Sequence, residues 1–356
     1  MKVLATLTAG VLTLATTSTA EVVWLETSYD FGLMKEQAGP KQGYARFVNH
    51  GPESVTVTEA RPTCGCTDAS YPEDPVAPGD TAVIRFTYDP TGRPGRFDKS
   101  IKVRFDDGHR VAIRIRGNVL GTPESLAQLY PVDAGALRLS DGKVLAGAMN
   151  AGKTPSMFVN AYNTLNDSVT VSAHSGEKTM KLKLSETRLG PGDVTTLAMY
   201  FDTRAYGKAG PVSFPVTIVA DPDGENSQSY DIEFVGQVIP VRRTLGAKEL
   251  AKAPVCDSVL PVVDLGTVTR EPRRVELDIL NSGKSTLEIQ NVWCDSPAVK
   301  VDGFPAQVKK DKTGRITVTF TPSEAVRSPF RIAVKVASND PVNPLMEINL
   351  TGTIGQ

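Results

Sequence analysis

Histidine is nearly missing from this chain: His50, His109 and His174 are the only three in 356 residues. They fall in or near expected turns of different segments. No serine or cysteine motif offers them a catalytic partner, so they read as solvated turn residues. No G-x-S-x-G and no H-E-x-x-H occurs. That removes the usual signatures of serine hydrolases and zinc proteases. C-x-x-C is absent too, so neither a thioredoxin-like site nor a closed four-ligand zinc site is expected. We expect no cofactor and no enzymatic activity. An excess of charge of one sign is also lacking: 39 Lys+Arg against 40 Asp+Glu leaves a net charge of -1. No global field therefore favours nucleic acid or an anionic membrane surface. Past residue 20 no apolar run is long enough to span a bilayer, so no transmembrane segment is expected. Helix signals are confined to "PESLAQLYP" (123–131) and "TLGAKELAKAP" (244–254), each short and ended by proline.

What is abundant is turns and alternation. The 30 glycines and 25 prolines are scattered along the chain, which suits many short strands. The chain also repeats itself. Three segments open on a short strand that ends in glycine: "SYDFGLM", "KVLAGAM" and "VVDLGTV". Each runs on through a strand, a polar turn and a second strand: "ARFVNHGPESVTV", "MFVNAYNTLNDSVTV" and "VELDILNSGKSTLEI". Each closes on an alternating strand that meets another glycine. The opening glycines Gly32, Gly147 and Gly266 are spaced by 115 and 119 residues, and the closing glycines Gly117, Gly236 and Gly352 by 119 and 116. Two independent landmarks thus share one period, close to the roughly 100 residues of an immunoglobulin-like sandwich.

Within the repeats the hydrophobic period is two. Ala82, Ile84, Phe86 and Tyr88 share one face of "TAVIRFTYDP". Ile101, Val103 and Phe105 alternate with Lys102 and Arg104, and Val111, Ile113 and Ile115 with Arg110, Arg114 and Arg116. Successive strand side chains point to opposite faces, so one face is buried and the other wet. A second sheet must cover the apolar face. The expected fold is therefore all-β: three tandem immunoglobulin-like β-sandwich domains at 21–121, 122–240 and 241–356. They follow a signal peptide over residues 1–20, where Lys2, an apolar stretch from Val3 to Ala15 and a small-residue "STA" form the pattern of a cleaved secretory leader. Export to the periplasm or cell surface is the expectation.

In an oxidising compartment cysteines default to disulfides. Cys64 and Cys66 flank Gly65 in "ARPTCGCTDASYPEDP". On a regular strand their Cα atoms would lie about 6.5 Å apart, near the upper limit for a bridge, and Gly65 can relax this. Three readings stand: a structural pair, a redox-labile pair, or two soft ligands for Cu(I). Cys256 and Cys294 lie in the third repeat with 37 residues between them. A bridge over that loop would stabilise by roughly 3 to 4 kcal/mol, and we predict it. Arg93 and Arg96 in "TGRPGRFDK" read as a basic hairpin tip. Asp-Ser/Thr-apolar triplets at Thr81, Ser168 and Ser258 match a weak O-glycosylation signal of some exported bacterial proteins.

The first repeat carries a family resemblance. Asp30-Phe31-Gly32, the Asn49 turn, Cys64-Gly65-Cys66-Thr67, the Pro78-Gly79 turn and "YDPTGRPG" resemble the exported bacterial family known as domain of unknown function 1573. The resemblance implies an immunoglobulin-like fold and export, and no activity. Repeat two has "SAHSGEKTM" where the Cys-Gly-Cys-Thr would fall, and repeat three has Cys294 alone in "NVWCDSP". Cys64, Gly65, Cys66 and Thr67 are thus the candidate functional motif, present once per chain. The function expected is a structural or protein-binding module of the envelope, with other envelope proteins as partners through sandwich edges or loops. The alternatives are a thiol-redox or Cu(I) protein and a chaperone-like strand binder.

Overall fold

The computed structural model describes residues 22–221 and 223–355; the expected leader at 1–20 lies outside them. The first repeat forms β1 (Val22–Trp24), β2 (Ser28–Lys35), β3 (Lys41–Asn49), β4 (Val57–Pro62), β5 (Thr67–Ser70), β6 (Thr81–Tyr88), β7 (Gly95–Phe105) and β8 (Arg110–Leu120). Helix α1 (Pro123–Leu129) follows, at the first of the two expected helical stretches. The second repeat forms β9 (Val132–Ala134), β10 (Leu137–Leu139), β11 (Lys143–Asn150), β12 (Ser156–Asn163), β13 (Val169–Ser175), β14 (Met180–Leu184), β15 (Arg188–Leu189) and β16 (Val194–Phe201). A single turn α2 (Thr203–Tyr206), then β17 (Gly210–Ala220) and β18 (Gln228–Ile239) complete it, and α3 (Ala247–Leu250) precedes the strands of the third. The third forms β19 (Cys256–Ser258), β20 (Val262–Val268), β21 (Arg273–Asn281), β22 (Leu287–Cys294), β23 (Val299–Gly303), β24 (Gln307–Val308), β25 (Thr313–Phe320), β26 (Phe330–Ser338) and β27 (Leu345–Ile354).

Among the described residues six sheets result, two per repeat. In the first repeat the orders are β1-β3-β6-β5 and β2-β8-β7-β4, and the third repeats this plan as β19-β21-β25-β23 and β20-β27-β26-β22-β24. The inward residues are those the alternation marks: Ala82, Ile84, Phe86 and Tyr88 from β6 meet Ile101, Val103, Phe105, Ile113 and Ile115 from β7 and β8 in one core. Chain packing defines two compact units. One holds the described residues up to Pro131 with Tyr162–Ser168 and Leu189–Val194; the other holds the remaining described residues.

The two glycine landmarks answer each other. The opening strand pairs in parallel with the closing strand, and the register slips at the opening glycine, as between Asp30 and Leu33. Gly32, Gly147 and Gly266 all take the left-handed conformation, with φ 66, 62 and 64. Asp30 and Asp264 stabilise this bulge by accepting the N–H of Gly32 and Gly266. The bulge pushes a carbonyl at the closing strand. A Cβ on Gly352 would lie 2.6 Å from the Gly266 carbonyl oxygen, so only glycine fits there.

A second device recurs at the end of β3, β12 and β21. Asn49, Asn163 and Asn281 are fully buried. The Asn49 amide donates to the Glu53 and Val76 carbonyls at 2.7 and 2.9 Å, and its Oδ1 accepts from Gly51 N. Asn281 makes the same three bonds, to Ser285 O, Val308 O and Gly283 N. Asn163 adds a third acceptor. A buried amide that spends both its donors and its acceptor on backbone fixes a turn that no backbone ladder covers.

Candidate functional site

The Cys-Gly-Cys stretch is a corner, not a strand. β4 is an edge strand of one sheet and β5 an edge strand of the facing sheet, and residues 63–66 carry the chain from one to the other. The corner is pinned at both ends. Thr63 N donates to Ser100 O and Thr63 Oγ1 accepts from Ser100 N, while Asp89 N donates to Cys66 O. Turning rather than extending brings the two Cα atoms to 5.3 Å, and Cys64 and Cys66 form a disulfide. Gly65 is not among the left-handed glycines, and a Cβ there would meet nothing within 4 Å. The expected glycine relaxation is therefore not what closes the bridge; the turn is.

The sulfurs are unequal. Cys66 is buried at 5% exposure in the apolar core, whereas Cys64 is half-buried. The buried Thr67 hydroxyl lies 3.6 Å from Cys64 Sγ and 3.8 Å from Cys66 Sγ. The corner opens on a shallow pocket of about 380 Å³ that Tyr88, Arg93, Pro94, Arg96, Phe97 and Lys99 also line. Its floor is the stacked pair Tyr88 and Phe97, with ring centroids 3.8 Å apart. Burial raises the Tyr88 phenol above its ordinary value, so the floor is a neutral apolar wall. Arg96 is more than a solvated hairpin tip. Its Nε and Nη2 donate to the buried Asp193 carboxylate at 2.7 and 2.6 Å, and that carboxylate also accepts from Asn118 and Gly190 N. Arg93 spends its guanidinium on the carbonyls of Asp89 and Thr91.

A second feature adjoins the corner on the outward face of β4, β7 and β8. There the register sets Arg61 opposite Lys102 and Arg104 opposite Arg110. These side chains, with Glu59, line a groove of about 840 Å³. Arg104 pairs with Glu59 at 3.6 Å, but among the described residues Arg61, Lys102 and Arg110 have no carboxylate partner. The neighbouring cations on the same sheet are paired: Arg114 with Asp98 and Arg116 with Asp30. Sequence reasoning saw Lys102, Arg104 and Arg110 only as the wet face of separate strands. The register that stacks them is a tertiary fact; basic residues at outward positions of three strands were the available signal.

The other expected sites fare differently. Cys256 and Cys294 are free thiols, which overturns the predicted bridge. Cys256 is in register with Asn281, beside the turn that leads into Leu287. Cys294 closes β22 at its far end, opposite Val334. At about 3.3 Å per strand residue that separates them by roughly 20 Å, far beyond disulfide reach. Burial pushes the Cys256 thiol up to about 12 and raises that of Cys294. Thr81 and Ser168 are exposed, but the Ser258 hydroxyl is buried without a partner, which corrects its choice as a glycosylation site. His50 and His109 are exposed outside strands, whereas His174 is exposed within β13, not in a turn. Bonded to each other, Cys64 and Cys66 offer no thiolate pair to Cu(I) in this state. No group of three or more His, Cys, Asp or Glu side chains able to hold a metal occurs among the described residues.

An all-β chain of repeated two-sheet sandwiches, with a disulfide corner and a basic sheet face in its first repeat, is the class that fold and site define. Residues 22–119 and 260–354, more than half of the chain, match the family described as "Protein of unknown function (DUF1573)", and the chain belongs to that family. No curated protein matches it. Among solved structures it is similar to a protein of unknown function from Porphyromonas gingivalis W83, at 17% identity over 62% of this chain and 100% of that one, with a TM-score of 0.45. It is also similar to the YadV chaperone, at 10% identity over 61% of this chain and 100% of that one, TM-score 0.26. A third is protocadherin gamma B2, at 11% identity over 95% of this chain and 60% of that one, TM-score 0.25. No helix among the described residues is long and apolar enough to cross a membrane.

Proposed function

We propose that this protein is an exported protein-binding module of the cell envelope, and that it engages a carboxylate-rich segment of another envelope protein across the basic face of β4, β7 and β8. One observation carries the reading: two like-charged cross-strand pairs, Arg61 with Lys102 and Arg104 with Arg110, stand side by side around an open groove. Like charges directly opposite each other cost about 0.2–1 kcal/mol per pair. A fold that keeps two such pairs, while Arg114 and Arg116 on the same sheet are neutralised, is poised to gain from an incoming anion. The leader-like N-terminus and the disulfide support export.

The test is binding of a fluorescent oligo-glutamate peptide to the mature chain, with an oligo-serine peptide as control. We expect affinity that falls steeply with salt. The double variant Arg61→Gln/Lys102→Gln should lose at least roughly tenfold in affinity while unfolding no earlier than the parent, because a repulsive pair has been removed. Unchanged binding, or binding of an acidic polysaccharide with none of the peptide, overturns the reading.

A further inference from the structure

We infer that the Cys64–Cys66 disulfide is a two-electron acceptor that oxidises dithiols, rather than a staple of the fold. The inference is independent of the basic face. Three observations on the molecule converge on it. First, the crossover is made at 63–66, 176–179 and 295–298 in the three repeats, with equal lengths, and two of them need no disulfide. Second, a bridge across a single residue removes little chain entropy from the unfolded state, so it adds little to stability. Third, the bridge faces a pocket whose rim carries the cations Arg93 and Lys99, and the Thr67 hydroxyl reaches both sulfurs. In the disulfide only that hydroxyl carries a hydrogen, so it is the donor. Cations and a donated hydrogen bond stabilise thiolates, and a disulfide whose reduced form is stabilised is the more oxidising one.

The unequal burial assigns the order of events. A substrate thiolate attacks Cys64 Sγ, the half-buried sulfur. The Cys64–Cys66 bond breaks and its electron pair leaves on Cys66 Sγ, next to the Thr67 hydroxyl. The substrate's second thiolate then attacks its own sulfur in the mixed disulfide and expels Cys64 as thiolate. The substrate has lost two electrons and become a disulfide. Cys64 and Cys66 have gained them and take up protons from solvent as pH requires. The electron donor is a dithiol, small or carried by a peptide.

The experiment uses the mature chain with Cys256→Ser and Cys294→Ser, equilibrated in glutathione buffers of graded ratio, acid-quenched and counted for free thiols by mass. We expect Cys64–Cys66 to pass from oxidised to reduced within the range of reduced glutathione up to about 10 mM, with the Trp24 fluorescence of the folded state retained. Arg93→Gln/Lys99→Gln should move the equilibrium roughly tenfold toward the disulfide. Cys66→Ser should leave a Cys64 that forms a mixed disulfide with oxidised glutathione at least about tenfold faster than Cys66 does in Cys64→Ser. Dithiothreitol and a Cys-x-x-Cys peptide, offered separately, distinguish a small from a peptide-borne donor by rate. A pair that stays oxidised throughout, or a chain that unfolds on reduction, overturns the inference. Arg61→Gln/Lys102→Gln serves as the control that separates this result from the peptide-binding one, since it should leave the thiol equilibrium unmoved.

Discussion

Replacing Asn49 with alanine is the sharpest test of how these sandwiches hold their turns. The side chain is fully buried and makes three hydrogen bonds, at 2.7, 2.9 and 2.9 Å, all to backbone. Each buried bond contributes about 1 kcal/mol net, and alanine removes all three, leaving the Glu53 carbonyl and the Gly51 N–H without their partner while the Val76 carbonyl keeps the Val55 N–H. The expected loss is about 3–4 kcal/mol, which marks the large end of single substitutions. Asn49→Asp, nearly the same shape, should cost at least as much, because a carboxylate oxygen would face the Glu53 and Val76 carbonyls that the amide now feeds. The assay exploits the two tryptophans. In a Trp293→Phe background Trp24 alone reports, and it sits on β1 opposite Phe47, two residues along from the Asn49 pairing. With a urea m-value of about 1–3 kcal/mol/M, the Trp24 transition should move down by roughly 1–4 M. A shift worth less than about 1 kcal/mol, with the m-value unchanged, would refute the claim that this amide is the clamp.

Three further outcomes follow from the same structure. Burial alone would raise the Glu36 carboxyl, but hydrogen bonds from Ser125 Oγ, Thr122 N and Gly92 N outweigh it and hold the group below its ordinary value. A depressed folded-state value means the stabilisation is present above the unfolded value, about pH 4.3, and is lost as pH falls through the folded one; Glu36→Gln should flatten that acid-side loss in pH-dependent thermal melts. Gly352→Ala should destabilise the third repeat by about 2 kcal/mol or more through the clash with the Gly266 carbonyl, whereas Gly65→Ala, open on all sides, should change the melting temperature by no more than a degree or two.

The parts of the fold that could be read from the chain were those written in backbone chemistry. Gly32 and Gly117 announce themselves because a left-handed bulge and the carbonyl it thrusts forward tolerate no side chain. Phe86 and Ile113 announce themselves through a period of two. The turn after Asn49 was legible as a landmark, but not the three bonds its amide makes. The failures were of distance and register. Cys256 and Cys294 share a repeat and invite pairing, yet one sits at each end of β22's span. Arg61 and Lys102 are 41 positions apart in sequence, and only the β4–β7 ladder sets them face to face. Cys64 and Cys66 were recognised as the unusual pair, while the partners that give them a chemical setting, Thr67 excepted, come from β6, β7 and the hairpin between them, more than 20 positions further along the chain.

The equal crossovers between the two sheets have a wider meaning. Residues 63–66, 176–179 and 295–298 do the same mechanical job with unrelated side chains. Such a corner is a cassette: its contents can be exchanged without renegotiating the strands on either side. Transplanting Thr-Cys-Gly-Cys from the first corner into the second or third would then move the disulfide to another sandwich, leaving behind the Thr67 hydroxyl and the Arg93 and Lys99 cations that set its chemistry in the first. The repeat supplies the socket, and each copy is free to carry a different fitting or none.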